Sequence, residues 1–247
     1  MAMGDIEGAE SFGGGRQLRE SQQVEGAARG FVEERVIYVG AEARVSVGFW
    51  HGLRTVRKLR LPKAYRVEPL DQALRARRTT HEAQLLHDSK RAGVPAPTVF
   101  LLDTREATLL TSYVEGERLR ERLLQSSRQG SISYGAHVGR LVGQLHGAGI
   151  IHGDLTTSNM IVAGDGRIFL VDFGLGAYSP ESEDRGVDLL LMKRALNSTH
   201  YRIAAECYGA FVEGYKAQLG RQEATGAIRK AGEIERRGRY VERTLRS

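Results

Sequence analysis

The sequence predicts an α+β fold, in which a small antiparallel sheet with one long helix precedes a mostly helical second half. Two observations support this prediction. Between residues 31 and 114, segments rich in β-branched and aromatic residues are broken by glycines, a pattern typical of strands joined by turns. Further along, apolar residues recur with the period of a helix. The length of 247 residues allows one domain or two small ones with a sizeable core.

Five strands and one long helix are predicted in the sheet-containing part. The strand segments are "FVEERVIYVG", "ARVSVGFWHG", "RTVRKLRL", "TVFLLD" and "ATLLTSYV". The stretch from Asp71 to Ala92 contains no helix breaker, and Gly93 and Pro95 follow it. We therefore expect a helix there, inserted between the third and fourth strands.

The second half contains a predicted amphipathic helix and a hairpin. Four apolar residues at spacing i, i+3, i+4 and i+7 place one helix face in the core, and they are Val138, Leu141, Val142 and Leu145. In "MIVAGDGRIFLV" an Asp-Gly pair separates two apolar runs, which is a strong hairpin signal. Loops and helices are expected after the hairpin, and the last helices are strongly basic.

Composition sets limits on the organisation and chemistry of the chain. Residues 1–30 lack a periodic apolar pattern, so we expect a disordered extension. The single cysteine, Cys207, excludes an intramolecular disulfide or a cysteine-based zinc site. No apolar run approaches the roughly 18 residues of a membrane span, so no membrane association is expected. The net charge of +6 is compatible with nucleic acid or phosphate-rich partners.

Three oxygen-bearing side chains converge at the open end of the hairpin. Asn159 precedes its first strand, Asp172 follows its second strand, and Asp154 lies in the loop that leads into it, within "HGDLTTSNM". An asparagine and an aspartate suit Mg²⁺, which keeps some waters and accepts phosphate oxygens as ligands. A further carboxylate that holds no metal can accept a proton. This division of roles is that of kinase-type phosphoryl transfer; the alternative is that all three cap turns around a hairpin.

Seven segments in order carry a resemblance to a known family. They are "GAEARV", "RKLRLPKAYR", "RRTTHEAQLL", "HGDLTTSNM", "VDFGL", "EDRGVDL" and "RRGR". Two of them, "HGDLTTSNM" and "VDFGL", resemble the catalytic loop and the metal-binding segment of the protein-kinase superfamily. Taken together, the seven resemble the PRPK family, the small atypical kinase/ATPase subunit of the EKC/KEOPS complex. The resemblance implies a minimal bilobal protein-kinase-like fold, with an N-lobe over residues 31–113, a C-lobe over 114–232 and a basic tail over 233–247.

The resemblance also implies a role for each site residue, with ATP and Mg²⁺ as cofactors. Asp154 would be the catalytic base or the carboxylate that orients water, and Asn159 and Asp172 would hold Mg²⁺. The remaining expected contacts involve the nucleotide: Lys58 at the phosphates, Glu82 paired with Lys58, Gly40 at the phosphate loop, Val56 over the adenine, and the backbone near Ser112 and Val114 at the adenine edge.

Two of these assignments have competing interpretations. Lys58 lies among other cations on a basic segment, and Lys63 is the rival phosphate contact. Strand alternation favours Lys58, because it shares a face with Val56. Glu82 could instead be a surface glutamate of the long helix. His152 is expected to be a structural hydrogen-bonding residue.

The chain departs from the ordinary protein-kinase pattern at three places. Gly153 replaces the arginine that usually precedes the catalytic aspartate. A cation that could pair with a phosphate on the activation segment is therefore missing at this position. The phosphate loop is "GAEARVSVG" rather than G-x-G-x-x-G. Asp172 and Asp188 are only 16 positions apart, with no A-P-E between them. A nucleotide site without a peptide-docking platform is therefore expected.

The resemblance implies an Mg-ATP-dependent serine/threonine kinase/ATPase that supports threonylcarbamoyladenosine modification of tRNA. Its expected partners are the other EKC/KEOPS subunits, especially the threonylcarbamoyl-transferase subunit, and tRNA through the basic tail. The expected location is the cytoplasm and nucleus. Alternatives are a free-standing serine/threonine protein kinase and a non-catalytic scaffold that binds tRNA and partners. The tail could also be a solvated basic helix, or could pack on the C-lobe through Ile234 and later apolar residues.

Overall fold

The N-lobe is a five-stranded sheet with one long helix. The computed structural model describes the backbone of residues 28–244 and the side chains of residues 28–237. The strands are β1 (Phe31–Val39), β2 (Ala43–Trp50), β3 (Leu53–Arg60), β4 (Val99–Asp103) and β5 (Thr108–Ser112), and α1 (Glu68–Arg91) lies between β3 and β4. The predicted disordered extension lies outside the described residues except for residues 28–30, which form a turn before β1.

All neighbouring strands of this sheet are antiparallel, in the order β1-β2-β3-β5-β4. The turn between β2 and β3 uses His51 and Gly52, both with positive φ, as the "HG" in the sequence suggests. The helix α1 starts at Glu68, three residues before its predicted start at Asp71. Pro69 is accommodated there because proline fits the first turn of a helix. It packs against β4 and β5 with Leu85 and Leu86 buried.

The C-lobe is mostly helical, with short strands on either side of residues 152–159, which we call the catalytic loop after the resemblance above. Its elements are β6 (Gly116–Arg118), α2 (Leu119–Gln125), α3 (Arg128–Gly147), β7 (Ile150–Ile151), β8 (Met160–Ala163), β9 (Ile168–Leu170), β10 (Ala177–Tyr178), α4 (Ser182–Thr199), α5 (Ala204–Leu219) and α6 (Arg221–Thr244). The strands form two small sheets, β6-β8-β9 and β10-β7. The predicted bilobal α+β fold is thus confirmed. Within residues 28–244, no helix is both long enough and apolar enough to pass through a bilayer.

Helices α3 and α5 lie in direct backbone contact. Gly135, Gly139 and Gly143 repeat every fourth residue along one face of α3. A Cβ added at Gly135 or Gly139 would collide with the Cys207 or Phe211 carbonyl of α5, and one added at Gly143 would lie 2.9 Å from Gln218 Cβ. The absence of side chains on this face lets the helices approach closely, so the C-lobe core forms around α3.

Helix α6 runs without interruption across the expected boundary between the C-lobe and the basic tail at residues 232 and 233. It packs on α4, where Arg185 lies 2.9 Å from Glu223 and Lys193 lies 2.8 Å from Glu235. Ile234 packs partly buried against the C-lobe core. The first part of the tail, as far as the side chains are described, therefore belongs to the C-lobe.

Candidate active site

Lys58 lies at the centre of the candidate site. It is on β3, whose alternation directs Lys58 and Val56 to one face of the sheet and buries Thr55 and Arg57 on the other. The Lys58 Nζ is 2.7 Å from Glu82 Oε1 and 2.7 Å from Asp172 Oδ1. Burial alone would lower the pKa of Lys58, but attraction to Glu82 and Asp172 outweighs burial and raises it. Lys58 therefore stays charged at neutral pH.

Glu82 comes from α1 and is buried, with only 3% of its side chain exposed. Besides Lys58 it binds a second cation, because Arg60 Nη2 lies 2.6 Å from Glu82 Oε2. Burial with two cationic partners is not the environment of a surface glutamate. Sequence reasoning did not single out Arg60. Its position two residues after Lys58, on the same face of β3, was the available signal.

Asp154 and Asn159 are joined directly. A short 3-10 helix (Thr157–Asn159) turns the chain so that Asn159 Nδ2 donates to Asp154 Oδ2 at 2.8 Å and to its backbone carbonyl at 3.0 Å. Because the amide nitrogen is used in this way, the Asn159 side chain is oriented and its Oδ1 is directed elsewhere. The pair fixes the catalytic loop relative to the first strand of the hairpin.

Asp172 follows the second strand of the hairpin, as the sequence predicts. The hairpin ends with Val171 N–H donating to Asn159 O at 3.0 Å, which makes Asp172 a direct neighbour of that pair. The backbone of Asp172 has φ 62°, a left-handed conformation. Its Oδ1 accepts from Gly174 N–H at 3.2 Å. Although burial by itself raises the pKa of Asp172, the nearby Lys58 lowers it below its usual value, so the carboxylate is ionised.

These residues supply a donor set that fits Mg²⁺. Asn159 Oδ1 and the second carboxylate oxygen of Asp172 accept no hydrogen bond from another residue within the described part of the chain. Two hard oxygen ligands suit a cation that fills its other positions with water and phosphate oxygens. Among residues 28–237 no cluster of three or more His, Cys, Asp or Glu offers a competing metal site.

The Asp188 side chain holds the catalytic loop through hydrogen bonds to its backbone. Asp188 was assigned no role in the sequence analysis. It is fully buried in the second turn of α4, where its carboxylate accepts from His152 N–H at 2.7 Å and from Gly153 N–H at 2.9 Å. The same carboxylate lies 3.2 Å from His146 Nε2. Two backbone amides just before Asp154 are thus fixed by one side chain. The signal in the sequence was Asp188 itself, within "EDRGVDL".

His152 is a structural residue, as expected. Its Nε2 donates to Val171 O at 3.2 Å, and its Nδ1 accepts from Asp154 N–H at 3.3 Å. Burial lowers the pKa of His152, more than the surrounding carboxylates raise it. The neutral ring therefore links the catalytic loop to the strand before Asp172, and its face lies against Phe173.

The segment after Asp172 is attached to α1 and to the catalytic loop. His81 Nε2 lies 3.1 Å from Gly176 O, and Tyr178 Oη donates to Asp88 at 2.7 Å. Burial and the bond to Asp88 raise the pKa of Tyr178 to about 12. Gly153, with φ 79°, lies against the Leu175 backbone, where a Cβ would collide. The position of the missing arginine is therefore a close backbone contact.

Gly40 lies in the tight β1–β2 turn, which the rest of the N-lobe holds in place. Gly40 N–H donates to Ala43 O at 2.9 Å. Lys63 donates to the carbonyl of Ala41, and Arg78 of α1 lies 2.8 Å from Glu42. Lys63 is thus used for loop support and does not join Lys58 at Glu82.

The two expected adenine-edge residues lie where the chain passes from β5 to the C-lobe. Ser112 ends β5, and its side chain and N–H both bond Thr98, at 2.9 and 2.8 Å. The Ser112 N–H and hydroxyl oxygen are therefore both used to join β5 to Thr98. Val114 is half-buried in the short link to β6. Val56 is half-buried on β3, opposite Val47, on the face that carries Lys58.

Comparison with known proteins gives one family match and relatives of two kinds, of which the first is similar in length to this chain. A family model described as the ABC1 atypical kinase-like domain matches residues 56–205. The chain is 39% identical over 216 residues to a KEOPS complex subunit Bud32 from Pyrococcus abyssi, and the match covers 85% of this chain and 98% of that protein. It is 40% identical over 207 residues to a probable serine/threonine-protein kinase BUD32 homolog from Archaeoglobus fulgidus, covering 84% of this chain and 97% of the relative.

A second kind of relative is longer. A probable bifunctional tRNA threonylcarbamoyladenosine biosynthesis protein from Methanothermobacter thermautotrophicus is 41% identical over 207 residues. The match covers 84% of this chain but only 37% of that protein. The chain therefore corresponds to one part of the bifunctional relative and leaves most of it unmatched.

Proposed function

The chain belongs to the Bud32 family of atypical kinases, and from that premise we propose that it uses MgATP as a serine/threonine kinase or ATPase. The observation that carries the proposal is Lys58, held between buried Glu82 and Asp172 with Asp154 and Asn159 alongside. This arrangement combines a cation for phosphate, two oxygen ligands for metal and a separate carboxylate.

The chain's own residues divide the work of phosphoryl transfer. MgATP, when bound, supplies the transferable phosphoryl group and the metal charge that offsets its negative oxygens. Lys58 binds phosphate oxygens while Glu82 keeps its amine extended. Asn159 and Asp172 hold the metal. Asp154, whose Oδ2 is oriented by Asn159, accepts the proton of the attacking hydroxyl or water.

The partners follow from the names of the relatives. One relative is named as a KEOPS complex subunit, and another, longer one as a bifunctional tRNA threonylcarbamoyladenosine biosynthesis protein. We propose that this chain works in the same modification of tRNA. We propose the threonylcarbamoyl-transferase subunit as the main partner; the word "bifunctional" in the relative's name and its unmatched portion support a second protein in the reaction. We also propose that exposed basic residues of the tail, such as Arg236, contact tRNA. The location in cytoplasm and nucleus stays a prediction.

Phosphate release separates the proposed function from its alternatives. The intact chain is mixed with MgATP alone, with a generic protein substrate, with tRNA, and with the proteins that co-purify with it. The proposal expects phosphate release that rises when partner and tRNA are added. Efficient phosphorylation of the generic protein without any partner would favour a free-standing kinase instead. ATP binding without turnover under every condition would favour a scaffold.

A further inference from the structure

Glu82 is held by two cations rather than by one. Lys58 approaches Oε1 at 2.7 Å and Arg60 approaches Oε2 at 2.6 Å. Only 3% of the Glu82 side chain and 5% of the Arg60 side chain are exposed, compared with 16% of Lys58. The inner pair is therefore Glu82 with Arg60, and Lys58 is the partner nearer to the cleft.

The inner position of Arg60 and the outer position of Lys58 matter when the phosphates of a bound nucleotide attract the Lys58 amine. A buried carboxylate that loses its partner is costly, so Glu82 with a single lysine would compete with phosphate for the amine. Arg60 presents several donors in a planar guanidinium group. It can stay on Oε2 while Lys58 turns toward phosphate.

The geometry around Gly174 places Arg60 beside Lys58 and Asp172. A Cβ added at Gly174 would lie 3.0 Å from Lys58 Nζ, 3.0 Å from Asp172 Oδ1 and 3.5 Å from Arg60 Nη2. The three charged groups thus meet around one glycine. Arg60 bonds Glu82 there, whereas Lys58 bonds both carboxylates.

We propose that Arg60 is a positioning residue: it holds Glu82 through Oε2, so that Lys58 can bridge from Oε1 to Asp172 and the phosphates. The inference deepens the proposed ATP turnover and rests on it. It assigns to β3 a second functional cation, two residues after the first, whose partner is protein and not nucleotide.

Steady-state ATP turnover by Arg60→Met is the first test. The methionine keeps much of the side-chain volume and removes the charge. We expect kcat to fall between about tenfold and about 10²-fold, the scale of a misplaced catalytic group, while KM for ATP changes less than about threefold. Arg60→Lys should recover most of the loss. If Arg60→Met does not fold, Arg60→Gln takes its place. Full turnover by a folded, uncharged variant would overturn the proposal.

Arg185 provides a matched control. It is also a buried arginine with one carboxylate partner, Glu223 at 2.9 Å, and its Nε, like that of Arg60, has no hydrogen-bond partner within the described part of the chain. We expect both Arg185→Met and Arg60→Met to lower the melting temperature. Arg185→Met should nevertheless leave kcat within about twofold of the unaltered chain. Equal losses of kcat in Arg60→Met and Arg185→Met would mean that Arg60 affects turnover only by stabilising the fold, and would contradict the proposal.

A double-variant cycle decides whether Arg60 acts through Glu82. If it does, Arg60→Met combined with Glu82→Gln should be no slower than Glu82→Gln alone, within about twofold. Two losses that multiply would mean that Arg60 acts on something other than Glu82, and would reject the proposal.

Hydrogen exchange of the nucleotide-free protein gives a readout that does not depend on activity. Arg60→Met should speed amide exchange in α1 around Glu82, whereas Arg185→Met should speed exchange in α4 and α6. Unchanged exchange in α1 would overturn the proposal. If the unaltered chain turns over no ATP under any condition, the proposed function fails, while the exchange experiment still shows whether Arg60 holds Glu82.

Discussion

Asp172 combines an uncommon backbone conformation with a central place in the site. Its φ of 62° is rare for a residue with a side chain, although aspartate tolerates it better than most. The conformation turns the chain sharply after β9 and directs the carboxylate back to Lys58 on the other lobe. Strained backbone of this kind persists only where surrounding contacts compensate for it, and it is most common at functional sites.

Asp172 and Asp154 should respond differently to the same substitution. Asp172→Asn should weaken MgATP binding more than Asp154→Asn does, because a metal ligand contributes to the ground-state complex and a base contributes mainly to the transition state. Titration calorimetry with MgATP measures both variants against the unaltered chain. Equal losses of affinity would contradict the two roles.

The sequence predicted some site residues better than others, for physical reasons. Lys58 could be distinguished from Lys63 because strand alternation is a local rule. Arg60 obeys the same rule, but nothing local shows that its partner is a buried glutamate 22 positions away. Asp188 was not assigned because its partners are backbone amides 35 and 36 positions earlier.

At the scale of elements, α1 is attached to the segment after Asp172 without any phosphate. His81 and Tyr178 join the two, and the β10–β7 pairing fixes the far end of the segment. The glycine at position 153 lets Leu175 lie directly against the catalytic loop. Close backbone packing thus occupies the place where an arginine–phosphate pair would act in an ordinary kinase.

Gly153→Ala tests that packing. Alanine at a positive φ costs about 1–2 kcal/mol by itself, and here its Cβ would also push against Leu175. We expect ATP turnover to fall by at least about tenfold. Gly166→Ala is the control, since Gly166 has a similar φ of 84° and open space around it. Gly166→Ala should lower the free energy of unfolding by a similar amount and leave ATP turnover unchanged. Comparable losses of turnover in Gly153→Ala and Gly166→Ala would show that the contact between Gly153 and Leu175 has no special role.

The α3–α5 contact predicts a stability effect far from the cleft. Gly139→Ala should destabilise the protein by about 1–3 kcal/mol or more, because its Cβ would collide with the Phe211 carbonyl. Gly209→Ala in α5 meets no atom within 4 Å and should stabilise by up to about 1 kcal/mol. Thermal unfolding of both variants measures the difference. Equal melting temperatures would contradict direct backbone packing.

Elements were predicted well where a local period decides them. The five strands, α1 and the hairpin follow from alternation, breakers and the Asp-Gly turn. The glycines of α3 were less informative, because glycine usually weakens a helix and its use for close packing depends on the partner helix. The continuity of α6 across residues 232 and 233 also depends on tertiary packing against α4.

At the scale of the whole molecule, α6 links the basic tail to the C-lobe. Glu183 at the start of α4 pairs with Lys230 and Arg237, each at 3.3 Å. Removing the chain after residue 232 would therefore also remove packing by Ile234 and the Lys193–Glu235 pair. Charge substitution is a cleaner probe of a nucleic-acid contact than truncation.

The tail contact predicts a salt-dependent loss of tRNA binding. Glutamine in place of four arginines of the tail, Arg236, Arg239, Arg243 and Arg246, should weaken tRNA binding and leave MgATP affinity unchanged. The plot of log affinity against log salt should become flatter by at most about 4 units, because each phosphate contact releases about one counterion. Binding at two salt concentrations measures this. An unchanged affinity and slope would reject the tail as a tRNA contact.

ATP turnover by Asp154→Ala tests the central claim, that this chain contains an assembled phosphoryl-transfer site. Phosphate release from labelled MgATP is measured for the unaltered chain and the variant, each with its partners and tRNA present, alongside MgATP affinity. We expect release to fall by about 10²–10⁴-fold while affinity is retained, because the proposed role of Asp154 is to accept a proton and not to hold metal or phosphate. Near-normal phosphate release by Asp154→Ala would contradict the account.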